Sequence, residues 1–190
     1  MPNVQARALS KRQQLVDSAQ SLIYEQGVHR TTLAEVAERA DVPVGNVYYY
    51  FKTKDDLVDA VLESRAAQIH ETLEGFGKRR TPQARLKALA HGWVEIAETV
   101  AQFGCPLGTL SSELGKHPDD MAAPDASVFQ PIVDWIETQL RELGRRDARD
   151  LAFELLARIQ GGALLGQSFR DPDILVRQTR ITNRWIDSLS

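Results

Sequence analysis

The sequence predicts an all-α fold of about nine helices. Apolar residues recur every three or four positions through most of the 190-residue chain, as at Leu15, Ala19 and Leu22. Several of these stretches begin with a Ser or Thr that is followed three residues later by an acidic or amide side chain, a pattern typical of helix N-termini. No stretch has the features of a credible strand.

The composition indicates a globular protein and excludes several classes. Apolar residues make up 43% of the chain and the net charge is −3, so any binding of nucleic acid must depend on where the charges point and not on their sum. No apolar run approaches the ~20 residues of a membrane span, and the N-terminus lacks a signal-peptide core. The single cysteine excludes an intrachain disulfide. We therefore expect a cytoplasmic protein with no membrane partner.

Residues 32–51 contain two short helical segments joined by a tight turn. Thr32 and Glu35 form a capping-box pattern at the start of the first segment. The run Asp41-Val42-Pro43 ends that segment, and the second, residues 44–50, is long enough for about two helical turns. This order indicates a helix-turn-helix, whose second helix enters the major groove of DNA.

The outward face of the second helix suits base and phosphate contacts. Val47 and Phe51 face back toward the first helix, which leaves the other side chains outside. Asn46 has the donor and acceptor pair that matches an adenine edge, Val44 can touch a thymine methyl group, and Gly45 lets the backbone approach the bases. Hydroxyl and ammonium groups nearby suit the DNA backbone. The predicted DNA-binding residues are Thr32, Val44, Gly45, Asn46, Tyr48, Tyr49, Lys52 and Lys54.

The three consecutive tyrosines at 48–50 also admit a simpler interpretation as half-buried core aromatics. Successive side chains on a helix lie about 100° apart, so all three cannot point into a core. We expect Tyr49 to be partly buried and the other two to lie largely outside.

The segment GVHRTTLAEVAERADVPVGNVYYYFKTKDDLVDAVL resembles the signature of the TetR family of bacterial transcriptional regulators. The resemblance runs from about Ser10 to Leu62 and includes the Thr-Thr pair, Ala37, the Tyr-Tyr-x-Phe run and the Lys-x-Lys that follows. It implies a helix-turn-helix DNA-binding domain at 1–53 and a helical ligand-binding and dimerisation domain at 54–190. Asp41 stands where the family usually has Gly, and Asp tolerates a left-handed backbone. Pro43 stands where Ser or Thr more often caps the recognition helix.

The rest of the chain predicts further helices with loops between them. Met1 to Leu9 shows no pattern, and a second capping box at Ser10 predicts the start of the first helix. The later helices are expected at 54–76, 81–100, 109–114, 128–143, 150–169 and 172–189, with GFGKRRT and GCPLG as interruptions and Gly115 to Asp125 as the most loop-like stretch.

A homodimer and a small-molecule site are implied for the C-terminal part. Gly162 and Gly166 form a smooth ridge on a helix, which fits either a dimer seam between the last two helices of each chain or close packing within one chain. The resemblance favours the seam, through Asp150–Phe169 and Pro172–Leu189. Predicted ligand-lining residues, which would look similar if they were only core, are Trp93, Ile96, Cys105, Phe129, Trp135, Phe153 and Gln160.

The sequence favours a ligand-responsive regulator, most simply a repressor, over an enzyme or an adaptor. Cys105 with His91 or His117 can be drawn as a nucleophile and base, but nothing in the spacing brings them together. The histidines lack metal-ligand spacing, so we expect no metal and no cofactor. A helical adaptor would not need the Asn46 face. The resemblance implies that a small apolar or amphipathic effector tilts the fourth helix and releases palindromic operator DNA.

Overall fold

The structure, a computed structural model, describes residues 4–115 and 128–189, with the backbone alone for residues 4–8. These residues form helices and no strand, which confirms the all-α fold. Ten helices lie within them: α1 (Val4–Gln26), α2 (Leu33–Arg39), α3 (Val44–Tyr50), α4 (Lys54–Gly77), α5 (Pro82–Val94), α6 (Ala97–Phe103), α7 (Pro106–Leu114), α8 (Gln130–Glu142), α9 (Ala148–Phe169) and α10 (Pro172–Asp187).

The described chain packs into two compact units. The first contains residues 4–67 and 109–115, and the second contains residues 68–108 and 128–189. The expected boundary at residue 53 therefore falls inside the first unit. As a division between DNA binding and ligand binding, that boundary stays a prediction.

The core of the first unit is built from α1 to α4 and the end of α7. Leu15 and Val36 are fully buried in it, as expected for a first helix that supports a helix-turn-helix. Leu110 and Leu114 of α7 are buried in the same core. This contribution was not predicted, because periodicity shows that a helix has an apolar face and not which partner covers that face.

The second unit is organised around α9, against which α6, α8 and α10 pack. A Cβ at Gly162 would lie 3.2 Å from Leu175 Cδ1 and 3.3 Å from Gln178 Cβ of α10. A Cβ at Gly166 would lie 3.4 Å from the carbonyl oxygen of Asp171. The expectation that Gly162 forms a dimer seam is wrong, because this glycine makes room for α10 of its own chain.

Several helix boundaries differ from those expected. Ser10 lies inside α1, so the capping box proposed there is wrong; the good helix formers that precede it extend the helix back to Val4. The stretch 81–100 is divided between α5 and α6, because Ile96 leaves helical geometry at φ −115° and ψ 20°. Residues 116–125 of the expected loop lie outside the described residues, as does His117. No helix that the structure describes is long and apolar enough to cross a membrane.

Candidate DNA-binding interface

The first helix of the motif, α2, begins at the predicted capping box. The Thr32 Oγ1 accepts a hydrogen bond from the Glu35 N–H at 3.2 Å, and Glu35 Oε2 accepts one from the Thr32 N–H at 2.8 Å. The Thr32 hydroxyl also donates to Glu35 Oε2 at 2.8 Å. These bonds from Thr32 hold the pKa of the Glu35 carboxyl below its ordinary value. They confirm the capping box.

A bidentate ion pair joins the end of α2 to α1. Arg39 Nη1 and Nη2 donate to the two carboxylate oxygens of Glu25 at 2.6 and 2.8 Å. The hydrogen bonds from Arg39 lower the pKa of Glu25. The pair therefore links the end of α2 to the supporting helix through two parallel, charge-assisted bonds.

The turn between α2 and α3 has the backbone expected of it. Asp41 adopts φ 52°, the left-handed region in which the family usually places Gly, and Val42 N–H donates to the Ala37 carbonyl at 2.9 Å. Pro43 is the N-cap of α3 and makes no side-chain capping bond. At the two positions that differ from the family pattern, Asp41 therefore adopts the left-handed backbone, and Pro43 stands at the N-cap of α3 without a side-chain capping bond.

The recognition face of α3 is exposed and its other side is buried. Val47 is completely buried beneath it. The exposed residues are the predicted Val44, Gly45, Asn46, Tyr48 and Tyr49. A Cβ added at Gly45 would meet nothing within 4 Å, so the surface there is open.

The expectation of a partly buried Tyr49 is wrong. This side chain is 76% exposed, whereas Tyr50 packs against the core of the first unit. The two rings meet edge to face, with centroids 5.0 Å apart. Tyr50 follows Val47 by three positions and so lies on the same side of the helix.

The two predicted lysines lie next to the junction of α3 and α4, Lys52 between the two helices and Lys54 as the first residue of α4. Lys52 Nζ donates to the Tyr48 carbonyl at 2.9 Å, and Lys54 Nζ donates to the His29 carbonyl at 3.2 Å. An ammonium group has three donors, so each retains capacity for a phosphate oxygen. Thr53 and Asp56 cap α4 reciprocally, which confirms the helix start expected there.

The predicted ligand-lining residues lie at different depths in the second unit. Cys105 is buried, its sulfur accepts from the Gly108 N–H at 3.4 Å, and a Cβ at Gly108 would lie 3.0 Å from Gln160 Oε1. Gln160 Nε2 is buried without a hydrogen-bond partner among the described residues. The structure therefore brings Cys105 and Gln160 together at the start of α7.

The remaining predicted ligand residues fall into two groups. The half-buried aromatics that pack against the core of the second unit are Trp93, Phe129 and Trp135. Ile96 and Phe153 are 41% and 52% exposed and lie at the surface, where Arg149 covers the Phe153 ring at 5.0 Å. A lining role for these five residues stays a prediction.

Residues 15–61 match the model of the family described as bacterial regulatory proteins, tetR family. The HTH-type transcriptional regulator BetI of Paraburkholderia phymatum is 29% identical over 191 residues, which cover 100% of this chain and 97% of that protein. The chain belongs to the TetR family.

Further similarities agree with this membership. The HTH-type transcriptional regulator TtgR of Pseudomonas putida is 43% identical over 65 residues, or 34% of this chain and 29% of that protein. The crystal structure of regulatory protein TetR from Rhodobacter sphaeroides is similar with a TM-score of 0.77 and 26% identity, covering 90% of this chain and 96% of that one. As a TetR-family member the chain is a DNA-binding transcriptional regulator, and α2 and α3 are its helix-turn-helix.

Sequence reasoning missed Glu113 of α7, which accepts a hydrogen bond from the backbone of Val28. The two residues lie 85 positions apart, so no local pattern indicates the contact. The only signal in the sequence is the apolar spacing of Leu107, Leu110 and Leu114, which predicts an α7 with a covered face.

Proposed function

We propose that this TetR-family chain is a ligand-responsive repressor that binds palindromic operator DNA as a homodimer. The observation that carries the proposal is the exposed face of α3, with Val44, Gly45 and Asn46 outside and Val47 buried beneath. This arrangement offers polar and small groups to base edges on a firmly packed helix.

The contacts divide into those that read bases and those that hold the DNA backbone. Asn46 and Val44 approach base edges, and open Gly45 allows close approach. Thr32, Tyr48, Tyr49, Lys52 and Lys54 hold phosphates, as their hydroxyl and ammonium groups suit. These contacts to phosphates set the register of α3 in the groove.

The dimer rests on the exposed apolar side chains of the last two helices. Leu164 and Phe169 of α9 are 62% and 70% exposed, and they share that helix with Phe153 and Leu165; Ile181 of α10 is also exposed. Large exposed apolar side chains gathered on one element favour association with a partner surface. A two-fold dimer places one recognition helix in each half of a palindrome.

The effector proposal rests on the second unit and on α4. Gln160 offers a buried donor beside Cys105, which suits a small amphipathic molecule with one acceptor group. Helix α4 is continuous from the DNA-facing Lys54 to Gly77 in the second unit. A molecule that favours a different tilt of α4 changes the distance between the two recognition helices of the dimer. That distance then no longer matches the spacing of the two half-sites, which is about 34–36 Å per turn of DNA.

Selection of binding sites from random DNA with purified protein tests operator recognition. We expect a palindrome to be enriched. The matched control is Gly45→Glu, because the open space at Gly45 lets the chain fold while a carboxylate faces the groove. Wild-type protein that enriches no palindrome contradicts the proposal.

The effector is tested by reciprocity. A ligand found by thermal-shift screening must bind more weakly when operator DNA is present. Its affinity must fall by the same factor by which the ligand weakens DNA binding, and the coupling free energy is typically about 1–3 kcal/mol. Gln160→Leu should remove both effects. Equal ligand affinity with and without operator DNA contradicts the coupling for that molecule.

A further inference from the structure

The loop between α1 and α2, residues 27–31, is held by a carboxylate from a distant part of the chain. The Val28 N–H donates to Glu113 Oε2 at 2.6 Å. The same carboxylate lies directly over Gly27, where a Cβ would fall 2.8 Å from Oε1 and 3.0 Å from Oε2. Glu113 and the loop belong to the same compact unit.

The end of α1 explains why an outside acceptor is needed. Gly27 adopts φ 90° and its N–H donates to the Ile23 carbonyl at 2.9 Å. In a helix end of this type one bond closes the last turn, and the next N–H is left without a helical acceptor. That next N–H belongs to Val28, whose residue is 5% exposed, so water is a poor substitute. Glu113 supplies a charged acceptor at that point.

Further hydrogen bonds connect this loop to the start of the helix-turn-helix. Thr31 Oγ1 donates to the Gly27 carbonyl at 2.8 Å, and the Thr31 N–H donates to the Val28 carbonyl at 3.2 Å. Lys54 Nζ also donates to the carbonyl of His29 in this loop. Thr32, the N-cap of α2, follows at once. A displacement of the Val28 backbone therefore reaches Thr32 through a short chain of bonds.

We propose that Glu113 is a positioning residue for DNA binding. By accepting the Val28 N–H it holds residues 27–31, and with them Thr32 and the start of α2, where the DNA backbone requires them. This inference rests on the proposed use of Thr32 and α3 in DNA binding. When the carboxylate is removed, fewer molecules hold the docking geometry at any time, and the apparent dissociation constant rises as that fraction falls.

The neighbours of Glu113 make the residue a suitable target for substitution. Leu110 and Leu114 are buried in the core of the first unit and keep the end of α7 in place without the carboxylate. The matched control is Glu63→Ala, since Glu63 is an exposed acidic residue of α4 in the same unit and its loss changes the net charge equally.

The experiment compares wild type, Glu113→Ala, Glu113→Gln and Glu63→Ala as full-length proteins. Affinity for the DNA enriched by wild type is measured at several salt concentrations, and amide hydrogen exchange is measured over residues 27–32. Glu113→Ala should weaken binding about 5–30-fold with unchanged base preference and an unchanged salt slope, because no phosphate contact is lost. Its Val28 amide should exchange faster. Glu113→Gln keeps an acceptor but loses its charge, so its affinity and its Val28 exchange should lie between those of wild type and Glu113→Ala. Glu63→Ala should match wild type.

Each outcome bears on the inference. If Glu113→Ala binds DNA with wild-type affinity, the inference is overturned and the proposed function stays intact. The same holds if Glu63→Ala loses as much affinity for DNA as Glu113→Ala does. Wild-type exchange at Val28 in Glu113→Ala also overturns it. If Glu113→Ala does not fold, Glu113→Gln with faster exchange and weaker binding supports the inference, and Glu113→Gln with both unchanged leaves only a structural role and overturns it. If wild type binds no specific DNA, the proposed function and this inference fail together.

Discussion

Asn46 is the residue whose chemistry most directly concerns base preference. It is exposed on α3 beside open Gly45, and an amide side chain can pair with an adenine edge through two bonds. We expect Asn46→Ala to lose about 1–3 kcal/mol of discrimination at one position in each half-site and to keep binding of unrelated DNA. Binding to the enriched DNA and to single-base variants of it measures this. Unchanged discrimination at every position contradicts the assignment.

Lys54 has two roles that one experiment separates. Its ammonium holds the His29 carbonyl and retains donors for a phosphate. We expect Lys54→Ala to weaken binding on all sequences and to reduce the salt slope by about one. Lys54→Arg keeps the charge and should keep the slope. Weaker binding of Lys54→Ala with an unchanged slope would mean that Lys54 acts through the loop and not on phosphate.

At the scale of single residues, local patterns predicted the motif closely. Thr32 and Glu35 cap α2, and Asp41 takes the left-handed backbone, because both features depend on neighbours in sequence. The Tyr49 expectation failed although the information was present, since Tyr50 follows Val47 by three positions. The role of Glu113 could not be predicted from the sequence, because its partner Val28 lies 85 positions away and comes close only after folding.

Helix α9 buries one side within its own chain and leaves large apolar side chains outside. Gly162 lies on the buried side against Leu175 and Gln178. We expect Gly162→Leu to lower the thermal unfolding midpoint, since overpacking of this kind costs about 1–3 kcal/mol. Gly161→Leu is the control, because a Cβ at Gly161 meets nothing within 4 Å. Equal midpoints in the two variants contradict the intrachain role of Gly162.

The outer side of α9 carries the proposed dimer interface. Leu164 is 62% exposed, so Leu164→Glu leaves the fold of one chain intact and places a charge where an apolar partner surface is proposed. We expect this variant to be monomeric by light scattering with wild-type helix content. Ile96→Glu changes an exposed apolar residue outside α9 and α10 and should remain dimeric. A dimeric Leu164→Glu protein places the interface elsewhere.

At the scale of elements, the sequence predicts where helices exist more reliably than where they end. The division between α5 and α6 falls at Ile96, where neither Gly nor Pro marks it in the sequence. The start of α1 at Val4 reflects good helix formers ahead of Ser10, which outweigh the capping pattern. The role of Gly162 needed the identity of the helix packed against it.

Over the whole molecule, carboxylates in both units make the fold sensitive to acid. Hydrogen bonds from Thr32 lower the pKa of Glu35, and those from Arg141 and then Arg149 lower the pKa of Glu137. A lowered pKa in the folded chain means that the unfolded chain binds protons first as the pH falls. The stability from these groups is therefore fully present above the unfolded pKa and is lost as the pH falls through the folded one.

We expect the urea midpoint of unfolding to be level near neutral pH and to fall below about pH 5. A double variant, Glu35→Gln and Glu137→Gln, should have a lower midpoint at pH 7 and a shallower decline in acid. A midpoint that rises on acidification, or a double variant with the wild-type pH profile, contradicts this assignment.

The first unit is assembled from two separated stretches of chain, and this limits how the protein can be recombined with its relatives. A hybrid regulator that joins residues 1–67 to the body of another protein replaces Leu110, Glu113 and Leu114 with foreign side chains. The grafted module then has a mismatched core even though every residue of its helix-turn-helix is retained. A hybrid that also carries residues 109–115 keeps the buried leucines and the acceptor for Val28. We therefore expect an exchange of DNA specificity between such proteins to succeed when residues 1–67 and 109–115 are transferred together, and a single crossover at residue 67, within α4, to give an unstable DNA-binding unit.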